Sequence, residues 1–338
     1  MADEPALEEL LSRPTPPVVE AMAALGGDVL VLGAAGKMGP SLCRLAARAA
    51  EAAGLRTRVT AVARFSDPAL RTTLETDGVQ TIACDLFDRA QVERLPESPN
   101  IVYMVGQKFG TTGDESRTWA INAYLPAVVA ERFPQTRIVA FSTGNVYPLV
   151  PTNSFGPTEA DAVGPVGEYA QSTLARERVL EFFSRRNGTP VVILRLNYAV
   201  EPRYGVLRDV ADKVRNRRPV DLTMGSVNLI WQRDANAIAL RSFAHAGAPP
   251  FVLNVTGKPA ISVRWLAEQL GRRFGIEPVF EGIESGTALL SDASRAETLF
   301  GAPEVSIDDM ISRVAEWVEQ DGRSLGKPTH FEMREGKF

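Results

Sequence analysis

Val29-Leu30-Val31-Leu32-Gly33-Ala34-Ala35-Gly36-Lys37-Met38-Gly39 decides the fold of this chain. Its first four residues are apolar and half β-branched, the pattern of a strand buried on both faces. Glycines follow at 33, 36 and 39, and residues 40–53 then carry an Ala-, Leu- and Arg-rich helical pattern. In such a strand–turn–helix unit each glycine has a physical task. One permits the sharp turn, one lets the backbone approach a pyrophosphate, and one lets helix and strand pack closely. The unpaired N–H groups and positive dipole end of the helix then face the phosphates. A strand before the trio and a helix after it supply the context that makes it a dinucleotide-binding turn. Gly33, Ala35, Gly36, Lys37, Met38 and Gly39 are its expected contacts.

Outward from this turn the chain alternates short β-rich runs with longer helical patterns. Strands are expected at 29–32, 58–63, 80–83, 101–105, 137–141, 191–196 and 252–255, and helices at 40–53, 68–76, 88–94, 115–132 and 166–187. That rhythm predicts an α/β fold: a Rossmann-like, doubly wound parallel sheet with a smaller C-terminal substrate lobe. The dinucleotide-binding domain is placed at 27–200, with a returning segment near 228–256. The substrate lobe takes 201–227 and 257–325, with helices at 206–215, 262–274, 293–300 and 306–320. Residues 1–26, with short helices near 6–11 and 18–25, read as an N-terminal packing arm. Residues 326–338 read as a surface tail.

Composition removes several function classes. A net charge of -4, with no basic run, argues against nucleic-acid binding. No window approaches the eighteen or so apolar residues of a membrane span. The acidic start (Asp3, Glu4, Glu8, Glu9) is unlike a secretory leader. Cys43 and Cys84 are the only cysteines and sit in apolar patterns, which suits two buried thiols in a reducing, cytoplasmic setting. Two histidines, His245 and His330, leave little for a histidine metal site or a Ser-His-Asp hydrolase, so no metal is expected.

With these motifs in view, residues 28–300 resemble the extended short-chain dehydrogenase/reductase family, the NAD(P)-dependent epimerases, dehydratases and reductases. Besides the glycine turn, the resemblance is carried by Cys84-Asp85-Leu86, Asn122, Ser142-Thr143-Gly144-Asn145-Val146-Tyr147, Tyr169, Leu194-Arg195-Leu196-Asn197, and Asp292 with Arg295 and Leu299 to Gly301. It implies that Asp85 and Leu86 meet the adenine, and that Val105 and Asn122 border the cofactor. It also implies that Thr143 holds a substrate oxygen and that Tyr169 is the acid/base. The family motif continues Tyr-x-x-x-Lys, whereas this chain has Tyr169-Ala170-Gln171-Ser172-Thr173. In the family that lysine favours the phenolate and binds the nicotinamide ribose; Thr173 can hydrogen-bond but carries no charge. An unperturbed tyrosine titrates near 10, so about three units, or roughly 4 kcal/mol, separate it from neutral pH.

Strand two ends at Ala63-Arg64-Phe65 without the carboxylate that meets a ribose 2′-hydroxyl. Arg64, with Lys37 adding charge nearby, directs the expectation to NADP, with NAD remaining open. Thr143-Gly144-Asn145 lacks the Asp-Glu pair of sugar-nucleotide 4,6-dehydratases, which disfavours elimination of water. Lys108, Asn145, Asn197, Arg203 and Arg233 are the candidate substrate contacts, with Tyr204 and Arg208 close to them in sequence. Three functions remain open. The first is an NAD(P)-dependent oxidoreductase or epimerase of a small sugar-like or nucleotide-sugar substrate. The second is a catalytically degenerate NAD(P) sensor, and the third a structural protein. The family resemblance also suggests a homodimer through the helix at 166–187.

Overall fold

The computed structural model describes residues 3–108, 110 and 112–336. Helices α1 (Glu4–Ser12) and α2 (Pro16–Leu25) precede strand β1 (Val29–Leu32) and helix α3 (Gly39–Ala52). The chain continues through β2 (Val59–Ala63), α4 (Pro68–Thr76), β3 (Gln80–Ala83), α5 (Arg89–Glu93) and β4 (Asn100–Tyr103). Then come α6 (Glu115–Trp119), a π-helical turn (Ala120–Tyr124), α7 (Leu125–Arg132), β5 (Arg137–Thr143), α8 (Gly167–Asn187) and β6 (Val191–Leu196). Helices α9 (Val206–Arg215) and α10 (Gln232–Arg241), strand β7 (Phe251–Val255), and helices α11 (Val263–Phe274), α12 (Ser294–Phe300) and α13 (Ile307–Glu319) complete the main elements.

The seven strands form one parallel sheet in the order β7-β6-β5-β4-β1-β2-β3, the expected doubly wound arrangement. Alternate strand residues feed opposite faces. Val29, Val31, Val102 and Val139 pack with α2, α3 and α10; Leu30, Leu32, Ile101 and Ile138 pack with α7 and α8. Strand β5 runs two residues past its expected end, because Ser142 and Thr143 pair in register with Arg195 and Leu196 of β6. The expected helix over 115–132 is interrupted by the π turn, which carries Asn122. No helix among the described residues is long and apolar enough to cross a membrane.

A separate core is built from α9, α11 and α13. Leu7 and Leu11 of α1 bury in this core, whereas Val18, Met22 and Leu25 of α2 bury in the sheet core. The N-terminal arm therefore spans both lobes, and ion pairs fasten it. Glu8 accepts from Arg44 of α3 at 2.6 Å and from Arg203 at 2.6 Å. Residues 323–334, expected as loose surface from 326 onward, are packed down instead. Arg323 pairs with Glu4 at 2.6 Å, Thr329 donates its N–H to Asp209 at 2.7 Å, and Arg334 donates to the Thr287 carbonyl at 2.7 Å. Phe331 buries in the second core. This segment is a strap across the sheet's carboxyl edge, and the physical reason is the apolar anchor at Phe331 flanked by three polar ties.

Candidate active site

A cavity of about 540 Å³ opens at the carboxyl ends of β1, β4, β5 and β6, where the strand order reverses. The glycine turn forms one end. Gly33 has φ +85°, and a Cβ there would lie 2.8 Å from the Val105 amide nitrogen. A Cβ on Gly39 would collide with the Ala34 carbonyl. Only glycine at both positions lets the turn press between the β4 exit and the start of α3. This bare backbone at a helix N-terminus fits a dinucleotide pyrophosphate. Ala35, Gly36, Lys37 and Met38 line the same end.

Lys37 projects across the cavity, its Nζ 3.3 Å from the centroid of the Tyr204 ring. Loss of hydration lowers its pKa to about 6; the nearby charges of Lys108 and Lys327 add to this and Asp209 opposes it. The structure does not bring Lys37 and Arg64 together as expected. Arg64 is exposed at the end of β2 and does not line the cavity. Asp85 and Leu86 lie further along that side. The Asp85 carboxylate accepts from the Phe87 N–H at 3.0 Å, closing a turn, and Leu86 buries beneath α5 and α7. Val105 abuts Gly33.

The opposite end gathers Thr143, Asn145, Tyr169 and Asn197 around the exits of β5 and β6. The Thr143 hydroxyl donates to Asn145 Oδ1 at 3.0 Å and accepts the Asn145 N–H at 3.2 Å. Burial pushes the Tyr169 phenol up, while hydrogen bonding to Thr143, the Arg176 charge and hydrogen bonding to Thr173 act the other way. Asn197 donates to the Leu289 carbonyl at 3.3 Å, which ties the end of β6 to the second core. Beneath this end runs a buried ionic network. Glu177 pairs with Arg195 at 2.8 Å and accepts from Ser142 at 2.5 Å, and Arg195 donates to the Tyr147 hydroxyl at 2.7 Å. It locks β5, α8 and β6 in mutual register, and with them Thr143 and Tyr169.

Asn122 is fully buried in the π turn and holds the β4 exit. Its Oδ1 accepts from the Gln107 N–H at 2.9 Å, and its Nδ2 donates to the Gln107 carbonyl at 3.0 Å. Thr173 is buried and does not line the cavity; its hydroxyl donates to the Tyr169 carbonyl at 2.8 Å. Lys108 does line it, with Nζ 6.0 Å from the Tyr169 ring centroid and 5.8 Å from that of Tyr198. Desolvation lowers its pKa to about 8, against the charges of Asp209 and Glu332.

Two expected substrate arginines stand elsewhere. Arg203 is enclosed by Glu201 at 3.0 Å and Glu8 at 2.6 Å. Arg233 bridges Asp234 at 3.2 Å and Glu304 at 2.8 Å. Both charges are consumed in holding elements together. Conversely, Arg176, Tyr198, Lys327 and Thr329 line the cavity without being among the expected contacts. Only Arg176 carried a usable signal, its spacing of seven from Tyr169 along one helix.

The model of the NAD dependent epimerase/dehydratase family matches residues 29–250. The chain belongs to this family. No curated protein matches it. Among solved structures, it is similar to UDP-glucuronic acid 4-epimerase from Bacillus cereus in complex with NAD. That likeness has TM-score 0.73 at 19% identity, over 87% of this chain and 99% of the other. It is also similar to UDP-glucose 4-epimerase from Thermotoga maritima with UDP-glucose, with TM-score 0.72 at 19% identity, over 87% and 99%. A third is DesIV, a dTDP-glucose 4,6-dehydratase from Streptomyces venezuelae with NAD and TYD bound, with TM-score 0.75 at 19% identity, over 87% and 97%. At these identities the likeness concerns the fold. In this family member the glycine turn and the Thr143–Tyr169 pair share one continuous cavity.

Proposed function

We propose that the protein is an NAD(P)-dependent enzyme that oxidises, reduces or epimerises an alcohol or carbonyl carbon of a sugar-like substrate, in the nucleotide-sugar class. The observation that carries this reading is the single cavity joining the glycine cradle to Thr143 and Tyr169. A nicotinamide bound there would supply the hydride acceptor or donor. The remaining work falls to the chain's own residues. Tyr169 holds or gives the proton at the substrate oxygen, Thr143 hydrogen-bonds the same oxygen, and Asn145 orients Thr143. Tyr198, Tyr204 and the strap residue Thr329 restrict water. Lys108 and Lys327 favour an anionic substrate, as a sugar diphosphate is. Thr143-Gly144-Asn145 offers no carboxylate pair, which supports redox or epimerisation over elimination of water.

The test is thermal stability and bound-cofactor absorbance against NAD, NADP and a panel of nucleotide sugars. Binding should raise the melting temperature by mass action. A sugar that changes the reduced-nicotinamide band in the parent, and not in Tyr169→Phe, establishes the reaction; absence of any response to the dinucleotides sinks it. Thr173 supports a second reading, a dinucleotide sensor without turnover. Turnover that appears only in Thr173→Lys would favour it. We also propose a cytoplasmic homodimer. The exposed Trp119, Tyr124 and Phe182 on the α6–α8 face support the dimer, and the buried, unbridged Cys43 and Cys84 support the reducing compartment. Phe182→Asp with light scattering tests the dimer.

A further inference from the structure

We infer that Arg176 is a cofactor-binding residue that does, from one turn further along α8, what the uncharged Thr173 cannot: it places a cation beside Tyr169 and the dinucleotide's ribose. This rests on the proposal that a nicotinamide dinucleotide occupies the cavity. Tyr169, Thr173 and Arg176 stand at i, i+4 and i+7, one face of the helix. Arg176 is about 4.5 Å along the axis from Thr173, and long helical side chains lean back toward the N-terminus. Its guanidinium therefore returns to the level of Thr173.

The packing fixes it there. Arg176 is 5% exposed, and three of its five N–H groups are engaged beneath the cavity. Nε donates to the Asn122 carbonyl at 3.3 Å, Nη1 to the Phe141 carbonyl at 2.7 Å, and Nη2 to Asn122 Oδ1 at 2.9 Å. The absence of a side chain at Gly106 makes room, because a Cβ there would lie 2.7 Å from Nη2. The guanidinium reaches the cavity between the exits of β4 and β5, where Gly106 and Phe141 also line it. The phosphate cradle lies to one side and Tyr169 to the other. In a dinucleotide the group that joins phosphate to nicotinamide is a ribose with two adjacent hydroxyls. A planar fork with one N–H left on each terminal nitrogen suits such a diol. The same charge opposes the effect of burial on the Tyr169 phenol. Lys108 approaches the ring from the Tyr198 side instead.

The test uses the full-length protein and NADH. Arg176→Gln keeps donors for Asn122 and removes the charge; Arg176→Lys keeps the charge and removes the fork. Two readouts are needed: the NADH dissociation constant from tryptophan quenching, and the ionisation midpoint of Tyr169. The midpoint comes from the tyrosinate absorbance of each protein minus that of its Tyr169→Phe counterpart. Arg176→Gln should weaken NADH about tenfold, the loss of one charged hydrogen bond, and move the midpoint to higher pH. Arg176→Lys should fall between Arg176→Gln and the parent. Adding Thr173→Lys to Arg176→Gln should recover most of both losses. A folded Arg176→Gln with parental binding and midpoint overturns the inference. So does a loss that Thr173→Lys leaves unrepaired while the midpoint stays put, because that is the behaviour of a packing residue. If the parent itself fails to bind NADH, the proposed function falls first and takes Arg176 with it.

Discussion

Replacing Lys37 with methionine should abolish a proton uptake that accompanies dinucleotide binding. In the cofactor-free cavity Lys37 has a pKa of about 6, set by desolvation first and then by the charges of Lys108 and Lys327. At pH 7 it is therefore charged in only about one molecule in ten. A pyrophosphate in the adjoining cradle brings negative charge within a few ångströms and restores the ammonium form. Binding at pH 7 then takes up about 0.9 proton at this residue, and Lys108, already mostly charged at about 8, adds only about 0.1. The sign follows: affinity falls as pH rises through 7, approaching tenfold per unit, and levels off below about pH 5, where Lys37 is charged beforehand. Calorimetry of NADH binding in two buffers of different ionisation enthalpy gives the proton number as a slope. A slope of zero in the parent at pH 7, or an undiminished slope in Lys37→Met, refutes this account. The same substitution has a second, opposite effect. A depressed lysine pKa costs the folded state stability, in full below about pH 6 and progressively less as pH rises towards 10.5, so that much of the cost remains at pH 7. Cofactor-free Lys37→Met should accordingly melt at a higher temperature than the parent at pH 7, even as it binds dinucleotide less well.

Arg64→Ala should weaken NADP about tenfold, as loss of one charged hydrogen bond to a 2′-phosphate implies, and leave NAD nearly unchanged; equal effects on the two, measured by fluorescence titration, would exclude that contact. Glu8→Ala should cost about 1–3 kcal/mol in urea unfolding, because Arg44 and Arg203, both nearly buried, each lose one of their carboxylate partners. An unchanged midpoint and slope would mean that the arm does not brace the lobes. Burial raises the phenol pKa of Tyr103, Tyr169, Tyr198 and Tyr204, so the stability they contribute is complete below pH 10 and declines as pH rises beyond it. Below pH 10 the urea midpoint should rise with pH as the penalty on Lys37 and Lys108 fades; beyond about pH 10.5 it should fall, less steeply in the Tyr204→Phe variant.

The sheet was legible because buried parallel strands write themselves as short apolar runs, and because the glycine turn needs residues that nothing else replaces. Tyr169 and Thr143 were legible for a similar reason: each sits at a register set by one strand or one helix. The arginines were not. Arg203 looks like a substrate ligand until Glu8, 195 positions away, is seen to hold it. Charge in a sequence carries no record of which opposite charge consumes it. The strap was hidden in the same way, since its polar stretch resembles a solvated tail and only the position of Phe331 in the second core shows otherwise. Arg176 is hard to read from the motif because the motif marks the fourth residue after Tyr169, while the helix presents the seventh on the same face.

The strap also gives the site a history. Lys327 and Thr329 join the cavity wall some 290 residues after the glycine turn. At the usual pace of protein synthesis that gap lasts about 15–60 s. For that time a growing chain already holds the phosphate cradle and, later, Tyr169, yet the chamber stands open on one side. Assembly on the ribosome thus runs from cradle to enclosure, and the lysine-lined wall over Tyr169 is among its last parts to form.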